Sequence, residues 1–303
     1  MTRRNAGTIA RRARPAIDLS TQGEWRMTEL PPVVDHVIVN VADRLDEACA
    51  LFRRLGFQLS ERGHHTMGSS NHLAIFGETY LELLGYEPET GKDFCRSPLG
   101  LSGLVWKTDD ADAVYRHLQR QGLDGEPPAA FSRPVTLPDG RSLNARFRIA
   151  RLRGDAIPNG VSFFCLHLTP EAVWQPAWRD HPNGVVEIDE FVIVAERPRE
   201  AAEIYRRLFD PAPFVSAPDG ELRLQAGTTQ VRFISAEAAR AEFGVPPRND
   251  DGSPRMAALG FRTRSLDQTR QSLLAGNLPF IEKGNAIQVP TEAGFNLMLR
   301  FRA

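Results

Sequence analysis

Two passages roughly 150 residues apart constrain this chain more than anything else in it. VADRLDEACALFRRL (41–55) lies over VAERPREAAEIYRRL (194–208) without a gap: Val, Ala, Arg, Glu, Ala, Arg, Arg and Leu coincide, and Leu51/Ile204 and Phe52/Tyr205 are conservative. Both copies follow a β-branched run and precede extended segments, so the chain reads as an internal duplication. Each half divides again, because a strand-like run, an amphipathic helix and further strand-like runs occur four times. In the first module VVDHVIVNV reads as a strand and LDEACALFRRLG as a helix with Leu45, Ala48, Leu51, Phe52 and Leu55 on one face; FQLSERG, NHLAIFG and TYLELLGY follow as strands. The second runs from GLVWKT through the helix DADAVYRHLQRQG, stopped by Gly122, to NARFRIARL and VSFFCLHL. EFVIVAE, REAAEIYRRLF, ELRLQAG and TQVRFIS make the third, and AALGFRTR, LDQTRQSLLAGN, FIEKGNAIQVP and GFNLMLRFR the fourth.

The pattern predicts an α+β chain of four such modules: an Arg-rich tail over 1–30 with no role in the fold, a first half over 31–172, a Pro- and Trp-rich connector over 173–184 and a second half over 185–303. Met27 offers a second candidate start just ahead of the first strand. HPNG (181–184) is a turn signal that asks for positive φ at Gly184. Trp174 and Trp178 read as packing residues.

Composition narrows the partners. With 37 Lys plus Arg against 38 Asp plus Glu, the net charge of -1 offers no long-range pull on nucleic acid or anionic lipid. No apolar run reaches the roughly 18 residues of a membrane span. Cys49, Cys95 and Cys165 are too few and too scattered for a disulfide framework, which favours a reducing, cytoplasmic setting. A small-molecule substrate is the expected partner, with neither nucleic acid nor membrane.

Several residues carry chemistry. His36 stands in an apolar strand, either as a core histidine satisfied by Asp35 or a backbone carbonyl, or as a ligand. Glu82, between Leu81, Leu83 and Leu84, faces solvent or needs compensation by a metal, an arginine or a proton. In HHTMGSSNH, strand alternation puts Asn71, Leu73 and Ile75 on one face and His72, Ala74 and Phe76 on the other. Arg146 and Arg148 share a strand face and form a candidate carboxylate clamp. The helix alignment sets Asp189 against His36, and TQVRFIS over TYLELLG sets Arg232 against Glu82, which predicts an Asp189–Arg232 ion pair in the second half. GxSxG, Walker, dinucleotide and HExxH motifs are absent. Cys165, in an apolar strand, lacks what would make it a nucleophile.

A βαβββ unit used in pairs resembles the building block of the vicinal oxygen chelate superfamily, over nearly all of residues 33–302. DHVIVNVAD, HHTMGSSNHLAIFGETYLELLGY, CLHLTPEAVW and HPNGVVEI look like its glyoxalase-like branch. The resemblance implies four βαβββ modules paired into two half-open barrels, each with a concave face. It also implies a divalent metal (Fe, Mn or Zn) held by His36, Glu82 and His167, with Glu82 or His65 as base and His65 and Asn71 in the pocket. Gly103 or Leu104 stands where a further histidine ligand is expected, so one ligand is missing, and Cys165 competes with His167 for the inward position. A metal-dependent lyase, isomerase or dioxygenase acting on a small oxygenated metabolite is the leading reading; a metal-free sequestering protein of the bleomycin-resistance type is the second, and a duplication with filled clefts the third. Members of the superfamily close their barrels within one chain or between subunits, so a homodimer is compatible with the sequence.

Overall fold

The computed structural model describes residues 30–303 except 67, 88–96, 211–213, 219 and 248–252. Residues 1–29 of the Arg-rich tail, Met27 among them, and Cys95 lie outside the described residues, whereas Leu30, the last residue of that tail, packs against the core. The first module is β1 (Val34–Ala42), α1 (Leu45–Arg54), β2 (Gly63–His64), β3 (Ser69–Ile75) and β4 (Tyr80–Tyr86); the second is β5 (Gly100–Lys107), α2 (Ala111–Gln121), β6 (Ala129–Thr136), β7 (Ser142–Arg151) and β8 (Val161–His167). The second half runs β9 (Val185–Val194), α3 (Pro198–Leu208), β10 (Phe214–Ser216), β11 (Leu222–Ala226), β12 (Thr229–Ile234), α4 (Ala236–Phe243), β13 (Arg255–Thr263), α5 (Leu266–Ala275), β14 (Ile281–Lys283), β15 (Ala286–Val289) and β16 (Met298–Arg302).

Two eight-stranded mixed sheets result, in the orders β2-β3-β4-β1-β5-β8-β7-β6 and β10-β11-β12-β9-β13-β16-β15-β14. Within a module the first strand pairs in parallel with the last, and the two modules of a half join where their first strands run antiparallel. Each is a half-open barrel. The helices follow local rules: Asp110 caps α2 by accepting from the Asp112 and Ala113 amides, and Gly122 ends it in the left-handed region at φ 63°.

Among the described residues, one apolar cluster draws on both halves. Trp106 of β5 is fully buried against Phe209, ring centroids 4.5 Å apart, and Phe57 lies 5.2 Å from Phe261. Each such ring contributes roughly 1.5–3 kcal/mol by leaving water. Trp106 donates its indole N–H to Ser162 Oγ at 2.8 Å, so its one polar group is satisfied. The connector is nailed between the halves: Gln58 donates its amide to His181 Nδ1 at 3.0 Å, His181 Nε2 donates to the Ile75 carbonyl at 2.8 Å, and Asn183 Nδ2 donates to the Leu55 carbonyl at 2.9 Å. Gly184 has the positive φ its turn requires, 75°.

Three segments depart from the sequence reading. FQLSERG forms strand only at Gly63, because residues 57–62 run beside β3 through single contacts such as the Ser60 amide on the Leu73 carbonyl. β6 falls in a proline-rich stretch that the sequence pattern leaves unassigned, but at a sheet edge Pro134 costs no ladder bond to a further strand. α4 follows β12 directly, capped by Ser235, whose hydroxyl accepts from the Ala238 amide.

Candidate active site

The concave face of the first sheet forms a cleft of about 260 Å³, lined by His36, Asn71, Glu82, Arg133 and Cys165 among a wall of aromatic and aliphatic residues. In the pairing of β1 with β5, Val34 lies opposite Trp106 and His36 opposite Val105, which leaves Asp35 as an extra residue. That bulge re-aims the strand, so Asp35 can bond the ring of its own neighbour. His36 Nδ1 lies 2.6 Å from Asp35 Oδ1, and the ring stacks on Tyr80 with centroids 4.3 Å apart. With Nδ1 donating, Nε2 carries the lone pair and faces Glu82 Oε2 at 3.7 Å. That is too long for a hydrogen bond.

Glu82 stands two residues beyond Tyr80, the residue opposite His36, and so shares its face. Its Oε1 accepts from Asn71 Nδ2 at 2.6 Å, and the same amide lies 3.2 Å from His65 Nε2. His65 Nε2 therefore accepts, and Nδ1 donates to Ser69 Oγ at 2.8 Å. Burial pushes the His65 pKa down against the pull of Glu82, which leaves a neutral imidazole 3.9 Å from that carboxylate. Asn71 and Leu73 line the cleft while His72 turns away to the Ser60 carbonyl, the alternation read from the sequence.

Asp35 is fully buried and serves two imidazoles, since His167 Nε2 donates to the same Oδ1 at 2.9 Å. Burial pushes its carboxyl up, but the bonds from His167 and His36 together outweigh it and hold the pKa at about 2. His167 thus sits behind His36, packed on Trp174 at 4.4 Å, and does not line the cleft; Cys165, two residues earlier on the same face, does. Asp35, Cys165 and His167 bring donor atoms within 4.8 Å of one another. Burial raises the Cys165 thiol well above its usual range, so it is no nucleophile.

The structure separates the remaining candidates from the cleft. Arg146 and Arg148 lie on the other face of β7 from Phe147 and Ile149; Arg148 pairs with Asp112 at 2.6 Å and Arg146 is exposed. Gly103 leaves no room for a ligand, because a Cβ there would stand 2.6 Å from the Ile38 Cβ, and Leu104 is buried in the core shared by both halves. The cleft arginine that sequence reading missed is Arg133, on the unrecognised β6. Its signal was the alternation Phe131, Arg133, Val135 in a module short of one strand.

The predicted Asp189–Arg232 pair is corrected by one residue. His36 lies opposite Tyr80 and Glu82 opposite Ile38, just as Glu190 lies opposite Gln230 and Arg232 opposite Val192. Glu190 is therefore the counterpart of His36, and Arg232 Nη1 bonds it at 2.7 Å while Asp189 pairs with Arg302 at 2.9 Å. A bulge between Asn40 and Ala42 gives β1 one more residue than β9 before the helix, which shifts the strand register relative to the helix alignment. On the second concave face Glu221 and Glu242 also embrace Arg232, Arg300 bonds Glu190 and Glu242, and α4 packs Phe243 under the Arg300 guanidinium at 4.4 Å. That cleft is filled.

Whether a divalent metal suits the first cleft is decided by its donors. Two ligands each roughly 2.1 Å from one ion lie roughly 3–4 Å apart; His36 Nε2 and Glu82 Oε2 satisfy this, and Asp35 holds the imidazole in the ligating tautomer. The second module adds no His, Asp or Glu to the cleft lining among the described residues; Ser102 and Cys165 stand there instead.

Two paired βαβββ modules with an open, imidazole- and carboxylate-bearing concave face define a vicinal oxygen chelate protein. The chain belongs to the glyoxalase-like domain family, whose sequence model matches residues 34–209, the whole first sheet together with β9 and α3. Similar solved structures include a hypothetical protein from Staphylococcus aureus (15% identity, 89% of this chain and 98% of that one, TM-score 0.61). A mutant of 4-hydroxymandelate synthase from Streptomyces coelicolor matches at 13% identity, 89% and 92% coverage and TM-score 0.53. The Mn(II)-bound glyoxalase from Novosphingobium aromaticivorans matches at 12% identity, 90% and 82% coverage and TM-score 0.55. At these identities the likeness is one of fold. No curated protein matches the sequence.

Proposed function

We propose that the first cleft is the working site of a divalent-metal-dependent enzyme acting on a small oxygenated molecule, and that the second half is its structural counterpart. One observation carries this reading: His36 Nε2 and Glu82 Oε2 converge at 3.7 Å without bonding each other. The metal, of the Fe, Mn or Zn kind, supplies Lewis acidity toward substrate oxygens when bound. Around it the chain has distinct tasks to perform. Asp35 orients His36; Asn71 holds one Glu82 oxygen and leaves the other to the cleft; neutral His65 takes or returns a proton at Nε2 once Asn71 yields that contact to substrate. The Mn(II)-bound glyoxalase of similar fold supports a divalent metal in such a cleft, and the chemistry open to it spans lyase, isomerase and dioxygenase reactions.

Calorimetric titration of the purified chain with Mn(II) and Zn(II) tests the reading. Stoichiometric binding lost in both His36→Ala and Glu82→Ala is the expected result. Absence of stoichiometric binding, or binding unchanged in both variants, would overturn it. The closed Gly103 position, which leaves two convergent donors, favours a metal-free binding protein as the second reading. Small-molecule binding indifferent to metal and to both substitutions would establish it.

A further inference from the structure

Four arginines are buried among the described residues: Arg133, Arg232, Arg255 and Arg300. Arg232 and Arg300 sit among carboxylates, and Arg255 donates to the Leu99 carbonyl. Arg133 differs. It is 4% exposed, it lines the first cleft, and no hydrogen bond or ion pair joins it to another described residue. A buried cation without a partner is costly, and the usual compensation is an anion in direct contact. Burial accordingly depresses its pKa, and the Glu82 charge pulls the other way without reversing it. Arg151 adds a second cation to the lining, its guanidinium 5.1 Å over the Phe163 ring.

We propose that Arg133 is the anion-binding residue of this cleft and that its ligand is a carboxylate attached to a flat apolar body. The carboxylate follows from the donor geometry: the Arg133 guanidinium offers two parallel N–H groups that match one carboxylate, while the second cation, Arg151, lies over the Phe163 ring and no lysine stands among the cleft residues to complete a phosphate cradle. The apolar body follows from the walls. Phe131 and Phe147 stack at 5.1 Å, Phe163 and Tyr80 flank His36, and Ile38, Leu73 and Ile149 fill the rest. At about 260 Å³ the cleft is smaller than a drug-sized site and suits one substituted ring. This assignment rests on the cleft proposed above as the working site but not on the metal, and its test is run in chelator so that the two fail separately.

Binding of benzoate, benzamide and phenyl phosphate to the full chain in EDTA is followed by ligand-observed NMR. Benzoate should bind at least roughly tenfold more tightly than benzamide, and Arg133→Met should lose that difference, the worth of one charge-assisted pair. Arg133→Lys should retain part of it, and Arg146→Met, on the opposite face of β7, should retain all of it. A thermal melt of Arg133→Met no lower than that of the parent shows that the fold is intact. Absence of benzoate binding, equal binding of benzoate and benzamide, or full benzoate binding by a folded Arg133→Met would overturn the proposal. Phenyl phosphate outcompeting benzoate by roughly tenfold would overturn the carboxylate assignment in favour of a phosphate. Should Arg133→Met not fold, a benzoate preference reduced in Arg133→Lys decides for the proposal and full retention there decides against it.

Discussion

Arg232 Nη1 bonds Glu190 Oε1 at 2.7 Å, at the two positions where the first sheet holds Glu82 and His36. The same pair of strand positions has thus been used twice, once for two groups that face a cleft and once for two that neutralise each other. Arg223, Arg232 and Arg300 balance Glu190, Glu221 and Glu242, so the second concave face is closed by compensated charge.

Arg232→Met should therefore destabilise the chain by about 3–5 kcal/mol, because three carboxylates lose their shared cation in a buried setting. Urea unfolding measures it. A loss under about 1 kcal/mol would mean that the cluster is solvated and the pairing of little consequence.

Acid should weaken the same cluster. Burial raises the Glu242 carboxyl, but Arg232 and Arg300 outweigh it and hold the pKa at about 2, below the roughly 4.3 of an unfolded chain; Glu221 is lowered in the same way. Because the folded values are depressed, this stability is complete above roughly pH 5 and is lost as pH falls toward 2. Glu242, being partly exposed, contributes on the order of 2 kcal/mol. Urea midpoints at pH 6 and pH 3 should differ accordingly, and Arg232→Met should flatten the difference.

Asp35→Asn should lower Mn(II) affinity by roughly ten- to a hundredfold, since an amide holds the His36 tautomer less firmly than a carboxylate. Calorimetry on protein shown by circular dichroism to be folded is the measurement. Unchanged affinity would remove Asp35 from any role beyond packing.

Gly103→Ala should cost about 1–3 kcal/mol, because the new Cβ would meet the Ile38 Cβ at 2.6 Å and force β1 from β5. Adding Ile38→Ala should restore part of the loss, since Cδ1 and Cγ1 also crowd that point. Additive losses in a double-mutant cycle would contradict the contact.

Much of the architecture was legible because it is periodic. The duplicated helix carried the repeat, alternation in NHLAIFG assigned Asn71 and His72 to opposite faces, and Gly122 and Gly184 took their positive φ. What escaped was what local signals masked or did not carry. β6 hid behind prolines that an edge strand tolerates, and with it went Arg133. α4 is a short plug whose purpose exists only against the second sheet.

The chain's own order of residues determined four strand-helix-strand modules and the His36/Glu82 contrast between halves, since these depend on local propensity and spacing. Which residues meet was decided by the tertiary structure. Single-residue bulges in β1 turned Asp35 toward His36 and His167 and made Glu190 rather than Asp189 the counterpart of His36. A strand has a period of two, so a slip of one residue reverses every side chain, and only the pairing partner across the sheet records it.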